Sequence, residues 1–219
     1  MNVVDLGIKD YKLVWDMQKV IHEKRMRNET DDTLLLVEHE PVITMGRSGN
    51  AQHLLLSQEV LRKRGVAYYE IERGGDITFH GPGQLVGYPI LNIKHGLAGI
   101  RPYIERLEEV IIAVLADFGI PATTEDKMIG VWTESGKICS IGVAVKRWVS
   151  FHGFALNVNT DLSFFDLIVP CGIKNVTMTS MQEILRTRTE MSDVKEKVKV
   201  HFSALFDKVI EERCLEEIT

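Results

Sequence analysis

An α+β fold built on a mixed β-sheet with flanking helices is what the sequence predicts, and three observations carry it. Strand-like and helix-like segments are interspersed without the regular alternation of a βαβ chain. Residues 100–118 carry a strong helical repeat of apolar side chains, and residues 137–145 alternate with the two-residue period of a strand. With 219 residues the chain can bury one substantial core, so one domain over 1–219 is expected.

Taken in order, residues 11–28 place Val14, Met17, Val20 and Ile21 on one helical face. Residues 33–37 form a short β-branched and leucine run stopped by His39, Glu40 and Pro41, and that length suits a buried strand. Ser57 offers an N-cap and Gly65 a stop around a short helix, after which 67–71 reads as a strand. In the long helix Ile100, Tyr103, Ile104, Leu107, Ile111, Val114, Leu115 and Phe118 recur at three- and four-residue steps until Gly119 and Pro121 close it. The strand 137–145 sets Ile141, Val143 and Val145 on one face and Ser140, Gly142 and Ala144 on the other. That second face is small enough to wall a pocket or to receive a closely packed helix, and the pattern favours neither. Residues 151–158 read as a further strand ended by a turn at Asn159, Thr160 and Asp161. Ser180 and Glu183 have capping-box spacing, and Val194, Val198, Leu205, Phe206 and Val209 mark a C-terminal amphipathic helix.

Composition narrows the function. The net charge of -5 is spread over interleaved acids and bases, so no bulk field attracts nucleic acid. Asp5, Lys9 and Asp10 break up the N-terminal stretch against a secretory signal, and no apolar run reaches the roughly 18 residues of a membrane span. The three cysteines, Cys139, Cys171 and Cys214, are odd in number and widely spaced, which fits neither a disulfide framework nor a Cys-x-x-Cys metal site. A cytoplasmic location follows as the expectation.

Two stretches could carry chemistry. Arg73-Gly74-Gly75-Asp76-Ile77-Thr78-Phe79-His80-Gly81-Pro82-Gly83-Gln84 reads as a glycine-rich loop between two strands, able to bring backbone close to a ligand and to aim Arg73 and His80 at it. The competing reading is a hairpin connection with a solvated arginine and histidine. It lacks the Gly-x-x-x-x-Gly-Lys-Ser/Thr of a Walker phosphate loop. In Val169-Pro170-Cys171-Gly172-Ile173, Pro170 stiffens the approach and Gly172 leaves the backbone after the thiol open, as a nucleophile requires, although a lone cysteine is as a rule a small buried hydrophobe. Cys139 inside its strand fits that second description, as does Cys214, which is expected on the C-terminal helix. Lys137 follows a turn at Glu134, Ser135 and Gly136, where a lysine is ordinarily solvated. His80, His152, Cys139 and Cys171 show no local zinc-ligand spacing, so no metal is expected.

Residues 73–84 running on to Tyr88-Pro89, residues 137–142 leading to Phe151-His152-Gly153-Phe154-Ala155-Leu156-Asn157, and Pro170-Cys171-Gly172-Ile173 together resemble the lipoyl(octanoyl) transferases in order and spacing. The likeness extends more loosely over about residues 3–185, and the first motif is the most specific. The resemblance implies a fold like the catalytic domain of biotin and lipoate ligases. It implies that Cys171 carries an acyl-thioester and that Lys137, 171 − 137 = 34 residues earlier, tunes it. Substrate contacts are implied at Arg73, Gly74, Gly75, Asp76, Ile77, Thr78, Phe79 and His80, at Ser140, Ile141 and Gly142, and at Gly153, Phe154 and Ala155. The implied donor is octanoyl-acyl carrier protein. The implied acceptors are lipoyl domains of 2-oxoacid dehydrogenase E2 subunits and the glycine cleavage H protein. No cofactor is implied, and a monomer is the default. Cys139 stands where many relatives carry a small apolar residue, which adds a second thiol to consider.

Two other readings fit the same residues: an ATP-dependent lipoate or biotin ligase on the same fold, and a non-catalytic module that binds acyl carriers or lipoyl domains.

Overall fold

The structure is a computed structural model, and it describes residues 1–94, 99–126, 128–170 and 176–218. The chain runs β1 (Asn2–Lys9), α1 (Tyr11–Met26), β2 (Thr33–His39), β3 (Val42–Met45), α2 (Gln58–Lys63), β4 (Ala67–Glu70), β5 (Ile77–His80) and β6 (Gln84–Ile90). It continues through α3 (Ile100–Asp117), β7 (Thr123–Glu125), β8 (Met128–Thr133), β9 (Gly136–Lys146), β10 (Val149–Asn157), α4 (Met181–Leu185), α5 (Met191–Phe206) and β11 (Glu211–Glu212).

The main sheet has the order β11-β1-β2-β6-β10-β9-β8-β7, with β1 parallel to both β2 and β11 and the other neighbours antiparallel. This is the mixed sheet expected from the irregular element order. Successive residues of β2 serve opposite faces: Leu34 and Leu36 join the core under α3 and α5, while Leu35 and Val37 join the core under α1. Burial on both faces is why 33–37 reads as an unbroken apolar run. A smaller sheet, β4-β3-β5, encloses a third core with Phe165 and Ile168.

Several expectations need correction. The stretch 73–84 is not all loop, because 77–80 is β5, paired with β3 from Ile77↔Met45 to His80↔Val42. On α1 the buried face is Tyr11, Val14, Gln18, Ile21 and His22, and Val20 is exposed. The C-terminal helix ends at Phe206, where Asp207 turns left-handed at φ 51°, so Val209 lies beyond it and is exposed. Cys214 caps a short 3-10 turn instead of sitting on a helix, and it is exposed. The capping box is half formed: Ser180 accepts from the Glu183 N–H, while Thr179 donates its hydroxyl to the Glu183 carboxylate.

One irregularity positions the site. Pro89 lies in β6 and has no N–H to offer β10, and the β6–β10 ladder stops at Gly87↔Phe154. Beyond it the Ser150 hydroxyl substitutes, donating to Pro89 O at 2.8 Å and accepting from Leu91 N at 3.0 Å. His152, at φ 57°, breaks the extended backbone there. The displaced stretch 152–155 turns into the cavity described next.

Candidate active site

A cavity of about 420 Å³ opens where the two sheets meet. Its walls include Arg73, Gly74, Gly75, Asp76, Ile77, Thr78 and His80; Lys137; Ser140, Ile141 and Gly142; and Gly153, Phe154 and Ala155. Three segments far apart in sequence thus converge on one space. Phe79 is not on the wall: its ring stacks on Phe164 at 4.6 Å in the third core, as strand alternation between Thr78 and His80 dictates. Tyr11, Val86, Tyr88, Ile100, Ile104, Met128, Ile129, Val143 and His152 also line the cavity, and sequence reasoning did not nominate them as contacts.

Arg73 is buried, not solvated. Its Nη2 donates to Thr44 O at 2.7 Å and to Thr44 Oγ1 at 2.9 Å, and its Nη1 donates to Gly74 O at 3.1 Å. Glycines make room for it. A Cβ on Gly46 would stand 2.7 Å from Arg73 Nη1, and one on Gly142 would stand 3.0 Å from Arg73 Cδ. The small face of β9 therefore receives the 73–74 backbone, with Gly74 N bonded to Val143 O at 2.9 Å, and helps to wall the cavity. Asp76 braces the adjoining turn, accepting from Ile77 N at 2.7 Å and from His53 Nδ1 at 2.5 Å.

His80 is held in a chain of side-chain bonds. Its Nδ1 meets Gln84 Oε1 at 2.8 Å; that oxygen only accepts, so Nδ1 carries the proton. Gln84 Nε2 then donates to Asn157 Oδ1 at 2.9 Å, and Asn157 Nδ2 donates to Thr179 O at 3.0 Å. Burial first, then the proximity of His39, brings the His80 imidazole down to about 3, so it is neutral at physiological pH. Tyr11 stacks on it with rings 5.9 Å apart and only 6° from parallel.

Lys137 is also buried, against expectation. Its Nζ donates to Ile129 O at 2.9 Å and lies 5.3 Å from the centre of the Trp132 ring. Gly130 makes this possible: at φ 128° it is left-handed, and a Cβ there would stand 2.7 Å from Lys137 Cε. The backbone of Lys137 donates to Thr177 O at 2.9 Å and accepts from Thr179 N at 3.0 Å.

Cys171, Gly172 and Ile173 lie outside the described residues. Their flanks are anchored on both sides. Before them, Val169 N donates to His53 O at 2.8 Å and Ile168 forms a bridge with Leu54; after them, Met178 forms a bridge with Lys137. Of the other thiols, Cys139 is fully buried and pushed up to about 12 by that burial, which keeps it protonated and unreactive. Among the described residues no group of three His, Cys, Asp or Glu gathers as metal ligands would, and no helix is long and apolar enough to cross a membrane.

A family model described as lipoyl protein ligase A/B catalytic domain matches residues 10–203. An octanoyltransferase of Flavobacterium psychrophilum is 44% identical over 224 residues, covering 94% of this chain and 97% of the relative. A chain from the structure of a bi-partite lipoate protein ligase and its E2 lipoyl domain, from Thermoplasma acidophilum, superposes with a TM-score of 0.77 at 13% identity, covering 99% of this chain and 89% of that one. The biotin protein ligase of Aquifex aeolicus superposes with a TM-score of 0.56 at 16% identity, over 95% of this chain and 69% of that one. The two structures bear on the fold alone, a mixed sheet with flanking helices.

Proposed function

Since this chain belongs to the lipoyl protein ligase A/B catalytic domain family and is an acyltransferase within it, we propose that it carries an octanoyl group from acyl carrier protein to a lipoyl-domain lysine through a thioester on Cys171. The acceptors in this reading are the E2 lipoyl domains of 2-oxoacid dehydrogenases and the glycine cleavage H protein, and the reaction runs in the cytoplasm. One observation carries the reading. The cavity gathers the three substrate motifs around a buried Lys137 whose backbone pairs with Thr177, 177 − 171 = 6 residues past Cys171.

A free thiol with a pKa of about 8.5 is mostly protonated at neutral pH, and a neighbouring ammonium favours the thiolate. In the first half-reaction the Cys171 thiolate attacks the carbonyl of the octanoyl-carrier thioester. The carbon–sulfur bond to the carrier breaks, and the carrier leaves as a thiol after taking up a proton. In the second half the acceptor lysine attacks as a free amine, forming the amide and releasing the Cys171 thiol. Lys137 serves both steps: as the ammonium beside the thiolate it gives up the proton that the departing carrier thiol takes, and the neutral amine left behind then takes the acceptor's proton. Both steps exchange an activated acyl group, so the chemistry calls for no ATP.

The cavity suits the tail. Its volume of about 420 Å³ falls within the usual range for small-ligand sites, and Ile100, Ile104, Met128 and Ile129 supply apolar wall. At about 0.8 kcal/mol per buried methylene, a seven-carbon tail contributes up to roughly 5 to 6 kcal/mol.

Intact-protein mass spectrometry after mixing with octanoyl-acyl carrier protein tests the reading. One added octanoyl group on the peptide bearing Cys171, lost in Cys171→Ala while carrier binding persists, is the expected result. ATP-dependent modification without that adduct supports the ligase alternative. Binding without modification supports the non-catalytic one.

A further inference from the structure

We propose that Glu108 is the positioning residue for Lys137, its carboxylate and the Lys137 ammonium holding the two ends of the single peptide group that joins Ile129 to Gly130. The inference rests on the reading of Lys137 as the cation that ionises Cys171. Gly130 N donates to Glu108 Oε1 at 2.8 Å, and Ile129 O accepts from Lys137 Nζ at 2.9 Å. These two atoms belong to the same planar amide. A negative charge at its N–H end and a positive charge at its C=O end both align with the amide dipole, so each strengthens the other's bond. The carboxylate thereby fixes the orientation of the amide whose oxygen Lys137 Nζ bonds, and with it the place of the lysine head group.

The geometry is specific. Glu108 occupies the sheet-facing side of α3, one helical turn from Ile104 and Ile111, where an apolar residue would be the ordinary choice. A buried carboxyl without a partner is costly, and here the partner is the one amide that also holds the candidate catalytic lysine. That amide can face both ways because Gly130 is left-handed, at φ 128°, and a Cβ there would stand 2.5 Å from Cys139 O.

Other charges bear on Glu108 from its surroundings. Burial pushes its carboxyl up, while the Gly130 N–H, Lys137 and Arg101 favour the ionised form and Glu105 opposes it. Asp126, beyond β7, acts on Arg101. On β9 the buried Cys139 thiol is influenced in opposite senses by Lys137 and Glu108. From α5 come the apolar Val194, Val198 and Phe202.

Glu108→Gln keeps an acceptor for the Gly130 N–H and removes only the charge. The test is alkylation of Cys171 by iodoacetamide against pH, read on its own peptide to separate it from Cys139 and Cys214, with melting temperature recorded alongside. The expected result for Glu108→Gln is a thiol profile moved upward by roughly half a pH unit or more, with the fold retained. Glu108→Asp keeps the charge at shorter reach and should move the profile less. Lys137→Met is run in parallel. If Lys137→Met shifts the profile and Glu108→Gln does not, the role of Glu108 is overturned while that of Lys137 stands; if Lys137→Met shifts nothing, both fail. Should Glu108→Gln not fold, a fully wild-type profile in a folded Glu108→Asp of reduced activity would count against the proposal.

Discussion

Arg73 Nη2 donates at once to the carbonyl and the hydroxyl of Thr44, at 2.7 and 2.9 Å, tying the glycine-rich segment to the central strand of the small sheet. A lysine cannot reproduce that forked donation from a planar group. Arg73→Lys is therefore expected to raise KM for the octanoyl donor and to lower kcat/KM by about tenfold or more, since misplacing a cavity wall by a fraction of an ångström is enough. Thr44→Val deletes one of the two acceptors and should cost about 1 kcal/mol of stability. Steady-state kinetics with urea titration separate the two effects, and an unchanged KM in Arg73→Lys would contradict a wall-forming role.

Gly153 and Gly74 both fall in motifs implied to touch substrate, yet the structure predicts opposite consequences for alanine. A Cβ on Gly153 would stand 2.1 Å from Gly87 O and 2.5 Å from Pro89 Cδ, neither of which can swing aside. Gly153→Ala is expected to cost about 3 kcal/mol or to prevent folding. On Gly74 the nearest atom would be Val143 O at 3.5 Å, an ordinary contact, so Gly74→Ala should fold with a melting temperature close to the parent. Equal losses in the two variants would show that the ladder break at Gly87↔Phe154 is softer than its geometry implies.

Periodicity made the largest elements legible. The 18-residue α3 repeats its apolar side chains over five turns, and β9 alternates long enough to assign its faces before any contact is known. The strands that no pattern marks are short or interrupted: β3 and β5 are four residues each, β7 is three and β11 two, β8 shifts register between Val131 and Trp132, and β1 carries an irregularity between Asp5 and Ile8, beside the left-handed Gly7. Lys137 looked solvated because a lysine after a turn ordinarily is. Its burial depends on Gly130, seven residues back (137 − 130 = 7) across the β8–β9 hairpin, and periodicity does not report the left-handed φ and missing Cβ that make the room. Glu108 did leave a signal, a carboxyl four residues from Ile104 on the apolar stripe. Thr44 and Tyr11 left none, since nothing local marks them as cavity neighbours.

Lys137→Met should separate charge from packing, because the linear thioether fills nearly the same volume beside Trp132. Folding is expected to survive. In a rapid-quench experiment at neutral pH, formation of the octanoyl-enzyme should slow by about 10²-fold or more, the scale of a lost acid–base group. Transfer from preformed octanoyl-enzyme to a lipoyl domain should slow as well. An undiminished rate for both halves would remove Lys137 from the chemistry.

Two neutral histidines under the site make the fold sensitive to mild acid. His39 and His80 lie with rings 6.1 Å apart, and burial brings their folded values from 6.5 to about 4 and about 3. His39 Nδ1 faces Lys9 O at 3.0 Å and so holds the proton, leaving Nε2 to accept from the Tyr88 hydroxyl at 2.7 Å; protonating that nitrogen would reverse the bond and take this acceptor from the Tyr88 O–H. The unfolded chain takes up these protons first, so the stabilisation is complete above pH 6.5 and is lost as pH falls towards the folded values. At pH 5 each histidine that stays neutral in the fold costs about 2 kcal/mol relative to pH 7.5. His22 and His152, also lowered by burial, add in the same sense. Urea midpoints should therefore drop clearly between pH 7.5 and 5, above the range where most carboxylates titrate, and His39→Gln should flatten that drop. Equal midpoints at the two pH values would mean that the imidazoles accept protons without unfolding, and the neutral stack against Tyr11 would have to be abandoned.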